Sequence, residues 1–489
     1  MTPLTKLAGA ALVALAVATL VTCVTETPES KQRPGRPNII WLIAEDLGPE
    51  LGSYGHPEAY TPNLDRLATE GMRYTRAYTV APVCSVSRSA FMTGMHALAI
   101  DAHNHRSHRD EGDDNPLPEG VRLLTHWLQD AGYYTVNLED EESGIGGSGK
   151  DDFNFSVPGK KWDSSRWADL ATHQPFYAQI SYNTTHRMGR RPDIPSRIAR
   201  PADPAKVQIP PYYPDHEVTR RDWATYLDSI QEMDGEVGVL LDRLKADGLA
   251  DSTIVVFIGD HGQTMLRGKQ WPYDSGLRIP MLIRWPADFP SPPQVSPGKV
   301  DGRLLSALDL TATTLWAAGV ERPEKMQGRT FLGPDAVENE YIFASRDRCD
   351  ATVMRIRTVR SDGYRYIRNF MPEVPFTAPN LYKETMYPVL GLMKELHAAG
   401  QLTPPQAELM APRRPDEELY DLETDPWEIH NLADSTDPEH QRTKKDLAAT
   451  LDAWMEQMGD RERAPEPEAL VEEIRKNDGA YWATWTRRS

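Results

Sequence analysis

The sequence predicts an α/β protein, in which a large mixed, mostly parallel sheet is sandwiched by helices and a smaller antiparallel sheet forms a C-terminal subdomain. Two observations predict this fold class. Short apolar runs of strand length alternate with helical patterns from residue 38 to residue 318, which is typical of parallel strands covered on both faces. After about residue 338 the runs become short and follow at hairpin-like spacing, which predicts antiparallel strands.

The predicted elements follow in chain order. Strands of the main sheet are predicted at 38–44, 74–80, 133–138, 175–182, 253–259 and 279–285. Helices are predicted at 62–72, 121–131, 217–247 and 306–318. The C-terminal part is predicted to contain strands at 341–345, 353–359, 364–369 and 419–422 and a helix at 443–458.

The chain is long enough for two or three domains, although α/β folds of this size often keep one large core. We predict a main α/β domain at 37–337 and a C-terminal subdomain at 338–489. Residues 371–416 are rich in proline, and we predict a loop-rich cap over the functional site there.

The N-terminus has the pattern of an export signal. Lys6 precedes an apolar run that ends in Leu20-Val21-Thr22-Cys23, so we predict a signal peptide of the lipoprotein type at 1–23, with ordinary cleavage as the alternative. Residues 24–36 are predicted to be a linker. The expected location is the periplasm or the outer membrane, with membrane contact only through a lipid on Cys23.

Composition restricts the partners. The formal net charge of −18 argues against nucleic acid, since phosphate binding needs a basic face. The chain has 3 cysteines, and if Cys23 is acylated and Cys84 is modified, only Cys349 remains, which excludes a disulfide framework.

Cys84 opens a segment that suits anion chemistry. It lies between a predicted strand and a predicted helix N-terminus, and Arg88 follows one helical turn later. The positive end of the helix dipole and this cation both favour anionic or oxidised forms of the thiol. The alternative is a buried structural cysteine at a strand-to-helix turn.

Acidic residues follow two of the predicted strands. Glu45 and Asp46 come directly after 38–44, and Asp260 and His261 come directly after 253–259. Ligands of open α/β sheets collect at the carboxyl ends of the strands, so these carboxylates are predicted to converge on one hard cation. Helix capping is the alternative for each pair taken alone.

Together these segments resemble the sulfatase family, formylglycine-dependent hydrolases of the alkaline phosphatase superfamily. The likeness runs from about Pro37 to the segment 417–433 and so covers nearly the whole mature chain. Further landmarks keep the family's order: the first helix at 61–68, the histidine strand end at 182–186, the second lysine block at 269–280, and the nucleophile segment Cys84-Ser85-Val86-Ser87-Arg88.

The resemblance implies a mechanism. Cys84 is expected to be oxidised to 3-oxoalanine (formylglycine) by a formylglycine-generating maturation enzyme, and its hydrated aldehyde is expected to be the nucleophile. A calcium ion (Ca²⁺) is expected beside Cys84, held by Glu45, Asp46, Asp260 and His261. Further catalytic roles are implied for Arg88, which steadies the nucleophile, for Lys150 and Lys269, which neutralise the sulfate, and for His186, the general acid.

Three departures from the family pattern bear on this mechanism. Val86 stands where the maturation enzyme usually meets Pro or Ala, and Glu45 replaces the usual first Asp. Asp152 stands where many relatives carry a histidine two residues after the first lysine, so turnover needs another base if that histidine promotes sulfate elimination. The segment 159–162 offers an alternative register for the lysine, although Lys150 fits the strand end better.

A His-rich stretch shortly after the nucleophile helix is the best pointer to substrate. We predict that it lines a pocket for an anionic sugar through His103, His105, Arg106 and His108, and it resembles the branch that includes heparan N-sulfatases. The alternatives are a solvated polar loop or a transition-metal site. Further contacts from the C-terminal part are possible at Asp347, Arg348 and Arg355.

The predicted function is hydrolysis of sulfate groups from a sulfated oligosaccharide or polysaccharide. One alternative is a phosphatase or phosphonate monoester hydrolase of the same superfamily. The other is a sulfated-glycan-binding protein without turnover. The sequence leaves open which sugar, which position and whether the bond is an O-sulfate or an N-sulfate.

Overall fold

The larger of two sheets contains eight strands that run through the middle of the chain. Their bounds are β1 (Asn38–Ala44), β2 (Met72–Tyr78), β3 (Tyr134–Asn137), β4 (Phe176–Tyr182), β5 (Thr253–Gly259), β6 (Arg278–Arg284), β7 (Val300–Asp301) and β8 (Leu305–Ser306). Their order in the sheet is β3-β4-β1-β5-β6-β2-β7, with β8 also paired to β2. The four strands β3, β4, β1 and β5 are parallel, whereas β6 is antiparallel to both β5 and β2.

This computed structural model describes residues 35–107, 115–190, 192–460, 463 and 466–485. The predicted signal peptide at 1–23, most of the linker at 24–36, and His108 lie outside the described residues. In the described part of the chain no helix has the length and apolarity needed to cross a bilayer.

Eleven α-helices accompany the two sheets in the described ranges, together with seven short 3-10 helices. They are α1 (Pro62–Glu70), α2 (Cys84–Thr93), α3 (Leu124–Asp130), α4 (Glu217–Ala246), α5 (Asp274–Leu277), α6 (Ala307–Ala317), α7 (Leu381–Met386), α8 (Pro388–Ala398), α9 (Pro404–Glu408), α10 (Pro438–Gln457) and α11 (Glu468–Trp485).

Alternation along β1 builds a hydrophobic core on each face of the sheet. Ile40 and Leu42 pack into the cluster that contains Leu64 of α1 and Leu240 of α4. Their neighbours on the other face, including Trp41, pack into the cluster with residues of α2, α3 and α6. Because successive side chains of a strand point to opposite faces, a fully apolar strand requires helices on both sides.

The smaller sheet is antiparallel, with strands β9 (Ile342–Arg346), β10 (Ile356–Arg360), β11 (Tyr364–Asn369) and β12 (Glu417–Asp421) in the order β12-β11-β10-β9. Helix α10 packs on it, placing Leu451 and Trp454 in one cluster with Val359, Tyr366 and Leu419. The predicted fold class is confirmed, and the domain boundary at 337/338 stays a prediction.

Two segments differ from the sequence prediction. The stretch 371–416 was expected to be loop-rich, but it contains α7, α8 and α9. Pro388 and Pro404 stand in the first turns of α8 and α9, where the missing N–H costs nothing, so these prolines begin helices. Helix α11 was not predicted at all.

A pair of valine substitutions tests the two-sided core. Val255 is fully buried in β5 and Val239 is 51% exposed on α4. Val255→Ala removes two buried methyl groups and leaves a cavity, so we expect the free energy of unfolding to fall by about 2 kcal/mol. Val239→Ala, the matched control, is expected to stay within about 0.5 kcal/mol in urea denaturation followed by circular dichroism. Equal losses in both variants would contradict the assignment of β5 to the centre of the core.

Candidate active site

Two parallel strands bring the predicted acids together. Ala44 and Gly259 are register partners at the ends of β1 and β5, so the residues that follow them emerge side by side. The Asp46 backbone N–H donates to Asp260 Oδ1 at 2.9 Å, and Asp46 has a left-handed backbone with φ 54°. Asp adopts the left-handed conformation more readily than most residues, and here it aims the Asp46 N–H at Asp260.

Cys84 is the first residue of α2 and points at this pair of acids. Its side chain is 1% exposed. The Sγ atom lies 3.6 Å from Asp46 Oδ1, 3.4 Å from His261 Nε2 and 3.4 Å from Lys269 Nζ. A buried sulfur with three polar groups at these distances stands at the centre of the cluster and does not act as apolar packing.

Lys269 links the acids to His186. Its Nζ donates to both carboxylate oxygens of Asp46, at 2.8 and 2.9 Å, and lies 3.1 Å from His186 Nε2. Burial disfavours the charged ammonium, but Asp46 and the Cys84 thiol outweigh this effect and raise the pKa of Lys269 well above its usual value. The cation therefore persists in a nearly dry site.

The other two predicted cations complete the cluster. Arg88 lies one turn after Cys84, and its Nε donates to Asp260 Oδ2 at 3.1 Å. Lys150 Nζ donates to Glu45 Oε2 at 2.7 Å. In the alternative register, Lys160 is 64% exposed beside Asp163, and Lys161 pairs with Asp151. The geometry therefore assigns the site position to Lys150.

The two histidines differ in protonation. Burial opposes protonation of His261, but Asp260 and Asp46 outweigh it and raise the pKa of His261 to about 10. Burial, together with the charge of Lys269, lowers the pKa of His186 to about 4. At neutral pH His261 is an imidazolium between two carboxylates, and His186 is a neutral imidazole.

Two ligand groups are close enough for one ion in the described residues. One comprises Asp46, Cys84 and His261, and the other comprises Glu45, Cys84 and His186. The carboxylates of Asp46 and Asp260 remain ionised because their pKa values lie below the usual range despite burial. Hard oxygen donors of this kind suit Ca²⁺ or Mg²⁺, so the residues fit the predicted cation.

The His-rich stretch divides between two places. The Ser85 hydroxyl lies 2.9 Å from His105 Nδ1 and accepts the Arg106 backbone N–H at 3.0 Å, so these two residues lie against the nucleophile helix. His103 instead lines a separate cavity with Asp347, Arg348 and Arg355. The structure therefore brings His105 and Arg106 to the site but places His103 away from it.

Tyr382 of α7 is a site residue that the sequence analysis missed. Its ring centroid lies 5.4 Å from Lys269 Nζ and 6.3 Å from the His186 ring, which it stacks on. Its hydroxyl is buried without a partner among the described residues. No motif marks this tyrosine; its only signal was its position in the segment predicted to cap the site.

A family comparison decides the identity of this site. The sulfatase family model matches residues 37–320, which contain the cysteine, all the predicted acids and both lysines. The chain belongs to the sulfatase family. It is therefore a sulfuric ester hydrolase, as the motifs predicted.

Individual relatives agree with this assignment. An ulvan-active sulfatase of Formosa agariphila is 34% identical over 89% of this chain and 78% of its own length. The human N-sulphoglucosamine sulphohydrolase is 27% identical over 85% of this chain and 89% of its own length. This similarity confirms the predicted likeness to the heparan N-sulfatase branch. A structure solved in complex with its substrate D-glucosamine-2-N,6-O-disulfate has a TM-score of 0.58 at 16% identity, covering 87% of this sulfatase and 99% of that chain.

The ion pair between Arg88 and Asp260 is a testable support of the site. Both side chains are buried, so Arg88→Met removes the hydrogen-bonded cation from Asp260 and, among the described residues, leaves it only the longer ion pair with His261 at 3.8 Å. In the presence of a chelator we expect the free energy of unfolding to fall by about 3–5 kcal/mol. Arg413→Met removes an exposed pair with Asp416 and serves as the control, with an expected change below about 0.5 kcal/mol. A similar small loss in both variants, measured by urea denaturation, would show that the pair does not support the site.

Proposed function

We propose that this sulfatase releases sulfate from a sulfated glycan, with a formylglycine made from Cys84 as nucleophile and a calcium ion held by the strand-end acids. The observation that carries the proposal is the convergence of Cys84, Asp46 and Lys269, whose reactive atoms lie within 3.6 Å of the sulfur. Relatives named for ulvan and for N-sulphoglucosamine support a sulfated sugar as the substrate class.

The environment of Cys84 suits an oxygen nucleophile. Sulfur forms weak hydrogen bonds, yet Lys269 and His261 both direct nitrogen atoms at Sγ. A formylglycine hydrate would supply two hydroxyl groups at this position, one for attack on sulfur and one for release of sulfate. The helix N-terminus and the nearby cations favour the anionic form of such a hydroxyl.

The strand-end acids suit a calcium ion. Glu45, Asp46 and Asp260 supply oxygen donors. The imidazolium of His261 lies beside two of these carboxylates, Asp46 and Asp260. The ion would act as a Lewis acid on the sulfate oxygens and would lower the pKa of the nucleophile. His261 then flanks the ion or, once deprotonated, binds it.

The lysines and His186 act on the two ends of the ester. Lys269 presents its ammonium group to Cys84 Sγ, and Lys150 presents its own to Glu45, so both can hold sulfate oxygens by charge-assisted hydrogen bonds. His186 contacts Lys269, so a bound sulfate that neutralises this lysine favours protonation of the imidazole. In that state His186 Nε2 can donate a proton to the departing oxygen.

Mass spectrometry tests the nucleophile. The measurement uses the tryptic peptide 77–88 from protein made in a host with a formylglycine-generating enzyme. Because conversion replaces one sulfur by one oxygen and removes two hydrogens, we expect this peptide to be lighter than its thiol form by that difference. Cys84→Ala should abolish sulfate release, whereas Cys349→Ala, a buried cysteine outside the site, should retain it. Only the thiol form, together with glycan binding and no turnover, would indicate the binding-protein alternative. Faster turnover of aryl phosphonates than of sulfates would indicate the phosphonate hydrolase alternative.

Calcium binding is tested by thermal unfolding of metal-free protein. Ca²⁺ at about 100 times its dissociation constant should stabilise the protein by about 2.7 kcal/mol, seen as a rise in Tm. Asp46→Asn and Asp260→Asn are expected to lose most of this rise. Asp416→Asn, an exposed carboxylate in the C-terminal part, is the control and should keep it. An equal rise in all four proteins would place the ion elsewhere.

A further inference from the structure

Arg106 places an exposed guanidinium beside the catalytic groups. Its backbone is left-handed, with φ 57°, and its N–H donates to the Ser85 hydroxyl. Because Ser85 directly follows Cys84, this hydrogen bond fastens the turn to the start of α2. The backbone of Arg106 is therefore tied to the start of the nucleophile helix, and its side chain extends from that fixed point.

The charges near this guanidinium are those of the active site. Partial burial disfavours the charged form of Arg106, but neighbouring acidic groups outweigh this effect and raise its pKa. These groups are Asp152, Cys84, Asp350 and Glu45. Within the described ranges no hydrogen bond or ion pair joins the guanidinium to another group. Asp350 instead accepts hydrogen bonds from Gln270 at 2.8 Å and Asn380 at 3.1 Å.

Helix α11 closes the same side of the site, although it lies beyond the segment matched by the family model. Ser107 donates to Glu466 at 2.7 Å and accepts from Arg348 at 2.8 Å, which fastens the approach to α11 to the Arg106 loop. Farther along, the Trp482 ring lies 5.7 Å from Tyr382.

Asp478 of α11 adds a further carboxylate on this side of the site. It accepts the Ala351 backbone N–H, and burial together with Asp350 raises its pKa to about 6. Arg106 and Arg348 are the nearby cations that oppose this rise. Arg106 is thus an exposed arginine on this side of the site, and among the described residues no hydrogen bond or ion pair holds its guanidinium.

We propose that Arg106 binds a second oxyanion of the substrate, carried on the same sugar as the scissile sulfate or on the adjoining one. This inference rests on the proposed function. The planar guanidinium fork matches the paired oxygens of a carboxylate or of a sulfate ester, and both are monoanions in a sulfated sugar. A carboxylate and a second sulfate ester would both fit the guanidinium, and the choice of probe substrates distinguishes between them.

The test compares three probes on the intact protein. N-acetylglucosamine 6-O-sulfate carries one oxyanion, glucosamine-2-N,6-O-disulfate adds a second sulfate, and a 6-O-sulfated disaccharide with a uronate adds a carboxylate. We expect Arg106→Gln to raise KM about 10- to 100-fold for whichever doubly anionic probe fits, with little change for the single oxyanion. Arg106→Lys should recover part of the loss, and Arg413→Gln, an exposed arginine, should change nothing.

Binding keeps this inference separate from catalysis. Calorimetry on Cys84→Ser protein, with and without Arg106→Gln, measures the same preference without turnover. If wild-type protein releases no sulfate from any probe but binding still prefers a doubly anionic sugar through Arg106, the failure lies in turnover and the contact with the second oxyanion is supported. The inference would be overturned if Arg106→Gln weakened binding and raised KM equally for all three probes. It would also be overturned if Arg106→Gln changed neither quantity for any probe.

Discussion

The structure of the active site depends on the pairing of β1 with β5. This pairing places the carboxylates of Asp46 and Asp260 next to each other in a region without solvent, where each would be costly alone. The groups that contact them are cations: Lys269 and His261 on Asp46, and Arg88 on Asp260. The acids therefore determine where the basic residues must lie, and Cys84 is held where these charges meet.

Preorganisation follows from burial. The side chains of Cys84, Arg88 and Lys269 are held by two or more polar contacts each, so little reorganisation is needed when a tetrahedral anion enters. Such a network also explains the left-handed backbone of Asp46, because the turn aims its N–H at Asp260. Strain of this kind persists only where the surrounding structure determines the conformation.

Local pattern was sufficient for the elements that carry the catalytic groups. Strands β1 and β5 are apolar after their first residue and are followed by acids, so their bounds were predicted correctly and their ends were recognised as candidate ligand positions. Tyr382 and Asp478 could not be predicted, because their place in the site depends on how the C-terminal part packs, not on any local pattern. The same applies to His103: it is two residues from His105, but a turn directs it into a different cavity. Helix α11 was missed because charged residues interrupt its apolar pattern, although Val471 and Trp482 are buried in the folded protein.

The charge balance of the site links the ion to the substrate. Glu45, Asp46, Asp152 and Asp260 face Arg88, Lys150, His261 and Lys269, so the metal-free cluster is close to neutral. A divalent cation added to this set, as proposed, would create a positive excess in a low-dielectric region, and a sulfate ester would remove part of it. Each ligand would then lower the electrostatic cost of binding the other, and linkage requires such an effect to be reciprocal. A protein with a net charge of −18 can in this way bind an anion tightly at one point while its surface remains acidic.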